Sequence, residues 1–182
     1  TRGGLLDNGE LDCVIASFTV TDERKKSWNF TQQYRLEPVT FMVSKDSGAK
    51  TLADMDGFVI GVGQGTTTAE LIEQYAKDKG IDVNYEVQDF QYISDGVAAL
   101  KTGQIDAYSV DRTGLIAYMD DSMMLTEDAF GVQDIGIALK LGNDEMTKFM
   151  DDTLTELKES GRLDELKAKW GILTDEEVAA MQ

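Results

Sequence analysis

The chain has 182 residues, 34 acidic against 17 basic, for a net charge of -17, with 42% hydrophobic and 28% charged residues, which suits one large domain or two small lobes. Such an acidic balance excludes the phosphate backbone of nucleic acid as an electrostatic partner and disfavours anionic lipid. There is no His and one Cys, Cys13, so Ser-His-Asp and Cys-His catalysis, imidazole metal sites and an internal disulfide are excluded, and no run of about 18 apolar residues spans a membrane.

Gly9 ends a short helical stretch, GGLLDNG, and LDCVIAS (11–17) then reads as a strand carrying Cys13 as a small apolar residue. DNGELD, from Asp7 to Asp12, is rich in oxygen donors but has neither the spacing nor the distal Glu of an EF-hand loop, and no metal is assigned to it. Thr21 caps a helix with Asp22 and Glu23 in its first turn, and Arg24, Lys25 and Lys26 follow. WNFT is short and extended. LEPVTFMVSKD, around Pro38, predicts a long strand that leaves one lobe for another.

The pattern then becomes regular. TLADMDG predicts a turn with a short helix. FVIGVG (58–63) predicts a buried strand, TTTAELIEQYAKDKG an amphipathic helix ended by Gly80, and DVNYEV (82–87) another strand. ISDGVAALKTG is a helix closed by Gly103, and QIDAYSV a strand ending at Asp111. Strand–helix–strand–helix–strand predicts a parallel α/β sheet. GLIAYM is helical, and VQDIGIALKL is a second long strand that returns. From Asn143 two helices are divided near Gly161, the second ending at Gly171, and TDEEVAAMQ forms a short acidic helix. An α/β unit joined on both sides by long strands predicts two lobes, 1–38 with 132–182 and 39–131, with a ligand site in the cleft between them.

Three places could carry chemistry. IGVGQGTTTAE sets Gly61, Gly63 and Gly65 between a strand and a helix, but the third glycine comes one position early for a dinucleotide fingerprint and no P-loop lysine follows. It offers backbone N–H groups and the hydroxyls of Thr66 and Thr67 at a helix N-terminus, either as an anion site or as an ordinary cap. Asp111 ends a sheet strand, as a counter-ion for a cationic ligand group or as another helix cap. Arg24 is able to grip a carboxylate with two parallel hydrogen bonds or to serve as a surface salt bridge, while Lys25 and Lys26 read as solvated partners of Asp22 and Glu23.

Taken in order, SFTVTDERKKSWNFTQQY, FMVSKDSG, LADMDGFVIGVGQGTT, GQIDAYSVD and GRLDELKAKWGI resemble the extracellular solute-binding proteins of family 3, the polar amino-acid receptors of ABC importers, over about Leu5 to Ile172. The resemblance implies a type II periplasmic-binding-protein fold of two α/β lobes joined by two hinge strands, working outside the cytoplasm without cofactor, metal or catalytic group. It implies a free polar amino acid, Gln- or Glu-like, as ligand and an ABC permease as partner. Ser17, through its carbonyl, and Thr19 resemble the acceptors of the α-ammonium, Arg24 the grip on the α-carboxylate, Thr66 and Thr67 its further donors, and Asp111 the ammonium's counter-ion. The family's first lobe opens with a strand, a helix and a strand, whereas this chain opens in a helix tail. The resemblance therefore implies an incomplete first lobe whose open sheet edges invite strand exchange or dimerisation. The same lobes also occur in a cyclohexadienyl dehydratase acting on prephenate-like acids and in sensor domains. Asp111 favours the binder, since a dicarboxylate without an amine is repelled by it.

Overall fold

The computed structural model describes residues 2–181, so Gln182 of the acidic tail lies outside the described residues. In chain order it contains helix α1 (Arg2–Asp7), strand β1 (Cys13–Val14), helix α2 (Asp22–Lys25), strand β2 (Trp28–Ser44), strand β3 (Phe58–Gly63), helix α3 (Thr68–Lys79), strand β4 (Tyr85–Phe90) and helix α4 (Ile93–Thr102). Strand β5 (Ala107–Asp111), helix α5 (Arg112–Ile116), strand β6 (Met123–Leu125), strand β7 (Phe130–Lys140) and helices α6 (Asp144–Glu159), α7 (Arg162–Lys169) and α8 (Asp175–Ala179) complete it. The backbone groups into two compact units, 2–37 with Gln133–Met181, and Pro38–Val132.

In the Pro38–Val132 unit, β3 runs parallel to both β4 and β5. Residues 39–43 of β2 pair antiparallel with β5 on one edge, and β6 takes the other. Strand alternation sends Val39, Phe41 and Val43 to one face, where they meet Ile60, Val62, Ala107 and Ile72 of α3. Met42, Tyr108 and Val110 face the other way, under Val97 and Leu100 of α4 and Leu115 of α5. Burying a side chain such as Ile72 completely contributes about 1.5–3 kcal/mol, so each covering helix is held by its apolar stripe.

Tyr108 is fully buried, and its hydroxyl meets no hydrogen-bond partner among the described residues. Burial, with the charge of Asp95 nearby, pushes its pKa up to about 12. Removing a buried, unpaired hydroxyl relieves a desolvation cost of about 1–3 kcal/mol. Tyr108→Phe is therefore expected to raise the melting temperature by a few degrees in a calorimetric scan. A lower one would show that the hydroxyl has a partner that stabilises it.

In the other unit, β1 pairs antiparallel with β7, with Cys13 opposite Leu139 and Val14 opposite Ala138. Leu6 of α1 joins Val14, Phe18 and Ala138 in one core, beside Trp28 and Phe30. Leu154 of α6 joins Ile137 and Leu139 in a second, with Cys13, Tyr34, Met146 and Met150 packed against it.

Several elements differ from their expected bounds. LDCVIAS pairs over two residues only, because the chain turns at Ala16, where the Phe18 N–H donates to the Ala16 carbonyl at 2.7 Å. β4 starts three residues later than DVNYEV, in the register that pairs it with all of β3, from Phe58 with Tyr85 to Gly63 with Phe90. WNFT and LEPVTFMVSKD join into one 17-residue strand. Pro38 sits inside it just before the residues that pair with β5, where a missing N–H is tolerated. The short strand β6 has no sequence signal of its own and is held by its register with Met42.

Candidate functional site

In the first unit the polar candidates lie on the loop from β1 to α2. This loop is tied to neighbouring strands: the Tyr34 hydroxyl donates to the Ala16 carbonyl at 3.0 Å, Thr19 bridges to Ile135, and the Val20 N–H donates to the Asp134 carbonyl at 2.8 Å. The Thr21 side chain then accepts from the Arg24 N–H at 3.1 Å, which caps α2 as its sequence demands.

Capping α2 turns the Arg24 side chain back over the loop. Its Nη1 donates to the Thr19 carbonyl at 2.9 Å, and its guanidinium carbon lies 4.7 Å from the centroid of the buried Phe18 ring. A guanidinium over a ring contributes about 0.5–1 kcal/mol or more. Arg24 is thus pre-aimed by its own loop. Lys25 pairs with Asp22 at 3.5 Å and Lys26 with Glu23, all on exposed surface, where such pairs contribute little.

Both Ser17 and Thr19 are engaged. The Ser17 carbonyl accepts from Arg2 Nη1 at 3.1 Å, and its Oγ accepts from Arg35 Nη2 at 2.6 Å. Arg35 is buried against Glu37. Thr19 Oγ1 donates to Gln133 Oε1 at 2.6 Å. Phe18, Arg35, Glu37 and Gln133 were missed from sequence. Strand β2 supplies Arg35 and Glu37, β7 supplies Gln133, and only Phe18, adjacent to Ser17 and Thr19, carried a local signal.

In the second unit the glycine motif divides its labour. A Cβ on Gly61 would fall 2.6 Å from Ile105 Cδ1 and 2.8 Å from the Tyr108 ring, so this glycine serves close packing. Gly65 adopts φ +70°, the left-handed turn that brings the chain round to α3. The Thr66 hydroxyl donates to the Gly63 carbonyl at 2.7 Å and accepts from the Thr68 N–H at 3.3 Å, so it holds the turn together. Thr67 is half-buried at the N-cap of α3 and makes no side-chain capping bond.

Asp111 ends β5 opposite Val39 and occupies the N-cap position of α5, but its carboxylate makes no capping bond there. Because β3 and β5 are adjacent and parallel, their carboxyl ends lie at the same end of this unit's sheet. The turn at Gly63–Thr67 and Asp111 therefore share that end, where α/β sheets place ligands. Among the described residues no group of three or more His, Cys, Asp or Glu side chains is placed to hold a metal.

The family model for bacterial extracellular solute-binding proteins, family 3, matches residues 2–172. The chain belongs to that family. It is 34% identical over 170 residues to the L-cystine-binding protein TcyJ of Escherichia coli (strain K12), covering 91% of this chain and 62% of that one. It is 31% identical over 173 residues to the ABC transporter glutamine-binding protein GlnH of Bacillus subtilis (strain 168), covering 93% of this chain and 61% of that one. Among solved structures it is similar to an ancestral amino acid-binding protein, AncCDT-1, a precursor of cyclohexadienyl dehydratase, with a TM-score of 0.77 and 25% identity over 92% of this chain and 72% of that one. The fold of this family-3 chain is of the type II periplasmic-binding-protein kind. It spans just over three-fifths of these two curated relatives, 62% and 61%. No helix among the described residues is long and apolar enough to cross a membrane.

Proposed function

We propose that this family-3 chain binds a free polar amino acid, Gln- or Glu-like, outside the cytoplasm and delivers it to the permease of an ABC importer. The two compact units act as lobes, 2–37 with Gln133–Met181 in one and Pro38–Val132 in the other, within one residue of the expected bounds, and β2 and β7 serve as hinge strands. Arg24 carries the reading: a guanidinium fixed at a loop by the Thr19 carbonyl and the Phe18 ring is prepared to meet a carboxylate at little entropic cost. Thr67 and the N-terminus of α3 add donors to that carboxylate, with Thr66 holding their turn, and Asp111 takes the ammonium with Ser17 and Thr19. A ligand that touches both lobes favours their closed state, which is the differential affinity that a population shift requires.

Binding alone is the proposed work. The family-3 relatives named as receptors for cystine and glutamine support an α-amino acid, and differ in its side chain. The rival is a dehydratase acting on a prephenate-like acid, to which AncCDT-1 lends some weight. Asp111 argues against it, because such an acid has no ammonium to offset that carboxylate.

A thermal-shift screen of the ligand-stripped protein against Gln, Glu, Asp, Asn, Arg and cystine tests the reading. At about 100 times its dissociation constant a ligand adds roughly 2.7 kcal/mol of stability, or several degrees. No shift with any of them, alongside turnover of prephenate, would transfer the case to the enzyme.

A further inference from the structure

Helix α8 (Asp175–Ala179) lies beyond residues 2–172, which the family model matches. Five residues are too few for a helix to persist in water on propensity alone. A capping box closes its first turn, with the Thr174 N–H donating to Glu177 Oε2 at 2.8 Å and the Glu177 N–H to Thr174 Oγ1 at 3.2 Å. Val178 is completely buried, so the helix is docked. Folding and docking are therefore one event, and the segment is either seated or frayed. Its polar contact is with β2. Asp175 Oδ1 accepts from Lys167 Nζ at 2.9 Å, a lysine only 5% exposed that also meets Asp164 at 3.5 Å. Asp175 Oδ2 accepts from Gln33 Nε2 at 3.2 Å, and the Leu36 N–H also bonds to this carboxylate. Helix α6 holds the same strand slightly earlier: Asp151 Oδ1 accepts from the Gln32 N–H at 2.7 Å, and Lys158 Nζ donates to the Gln33 carbonyl at 2.6 Å. This part of the unit ends at Glu37, so Asp175 is the last of these holds before β2 enters the Pro38–Val132 unit.

We propose that α8 is a strap on the hinge strand: when seated it fixes β2 as far as Leu36, so that bending begins beyond Leu36 and amino-acid binding is coupled to the seating of the tail. The inference rests on the reading of β2 as a hinge strand of an amino-acid receptor. Asp175 and Val178 are positioning residues, and neither is among the candidate ligand groups. With the strap frayed, Gln33 to Leu36 move in the unliganded chain and must be ordered when the lobes close. Ordering the backbone of a single residue corresponds to about a tenfold change in an equilibrium.

Amide hydrogen exchange and titration calorimetry with L-glutamine and L-cystine, on the full chain and well below each melting temperature, test this. The variants are Val178→Ser, which unseats the apolar side of α8, Lys167→Met/Asp175→Asn, which removes the hold on β2 without leaving a buried lysine unpaired, and Val178→Ile, which keeps the seat. The first two are expected to lose protection at Gln33 to Leu36, keep it at residues 39–43, which pair with β5, and bind the amino acid about tenfold more weakly. Ligand is expected to restore protection at Gln33 to Leu36, and Val178→Ile to behave as wild type. Wild-type affinity in both of the first two variants while α8 exchanges freely, or protection lost evenly across the unit, would overturn this inference alone. A wild-type chain that binds neither amino acid would overturn it together with the reading beneath it.

Discussion

Arg24→Ala is expected to weaken amino-acid binding by about 100-fold or more while lowering the melting temperature by only about 2–8 °C. Two parallel hydrogen bonds to a carboxylate contribute about 1.5–3 kcal/mol each, and 1.4 kcal/mol is tenfold in affinity. The structural contacts that go with the side chain include a bond to the Thr19 carbonyl and a ring contact with Phe18, together about 1–2 kcal/mol. Arg24→Lys is expected to recover only a small part of the affinity, since an ammonium cannot present the planar pair of donors. Titration calorimetry with a thermal melt of each variant separates the two effects. Wild-type affinity in Arg24→Ala would reduce Arg24 to a clasp on its own loop.

The second large effect is expected at Asp111. Asp111→Asn keeps the shape and removes the charge, and is expected to cost about 10- to 100-fold in affinity for an amino acid, the loss of a charge-assisted bond to the ammonium. Helix α5 is expected to persist, because the Asp111 carboxylate makes no capping bond to it. The same variant separates the rival function. Prephenate, with no ammonium, is expected to bind Asp111→Asn no worse than wild type, and a loss of prephenate affinity in that variant would mean that Asp111 serves a different chemistry.

Much of the Pro38–Val132 unit was legible because its signals are local. FVIGVG, the helix stopped by Gly80 and the helix closed by Gly103 lie where periodicity and helix-stop residues place them. What failed was set by register. β4 is positioned by β3 and β6 by Met42, and neither partner is near in sequence. The site divides in the same way. Thr21, Asp22 and Glu23 announced the helix that carries Arg24, since a cap is a four-residue signal. The hydroxyl of Thr66 had two readings from sequence, because a threonine beside a glycine turn is equally able to serve the turn itself, as it does through the Gly63 carbonyl. Arg35 was passed over as one more charge on a strand. Its partner Ser17 lies 18 residues away, and only the folded chain brings the two together.

The central claim is that both charges of an amino acid are read at once, and calorimetric titration of the whole chain tests it most directly. L-glutamine or L-glutamate would be compared with its α-amide, which lacks the carboxylate, and with its deaminated acid, which lacks the ammonium. The account predicts binding of the zwitterion at about micromolar affinity or tighter, roughly -8 kcal/mol, and a loss of about 100-fold or more for each analogue. An analogue that binds within a few-fold of the amino acid, or a chain that binds none of the three, would contradict it.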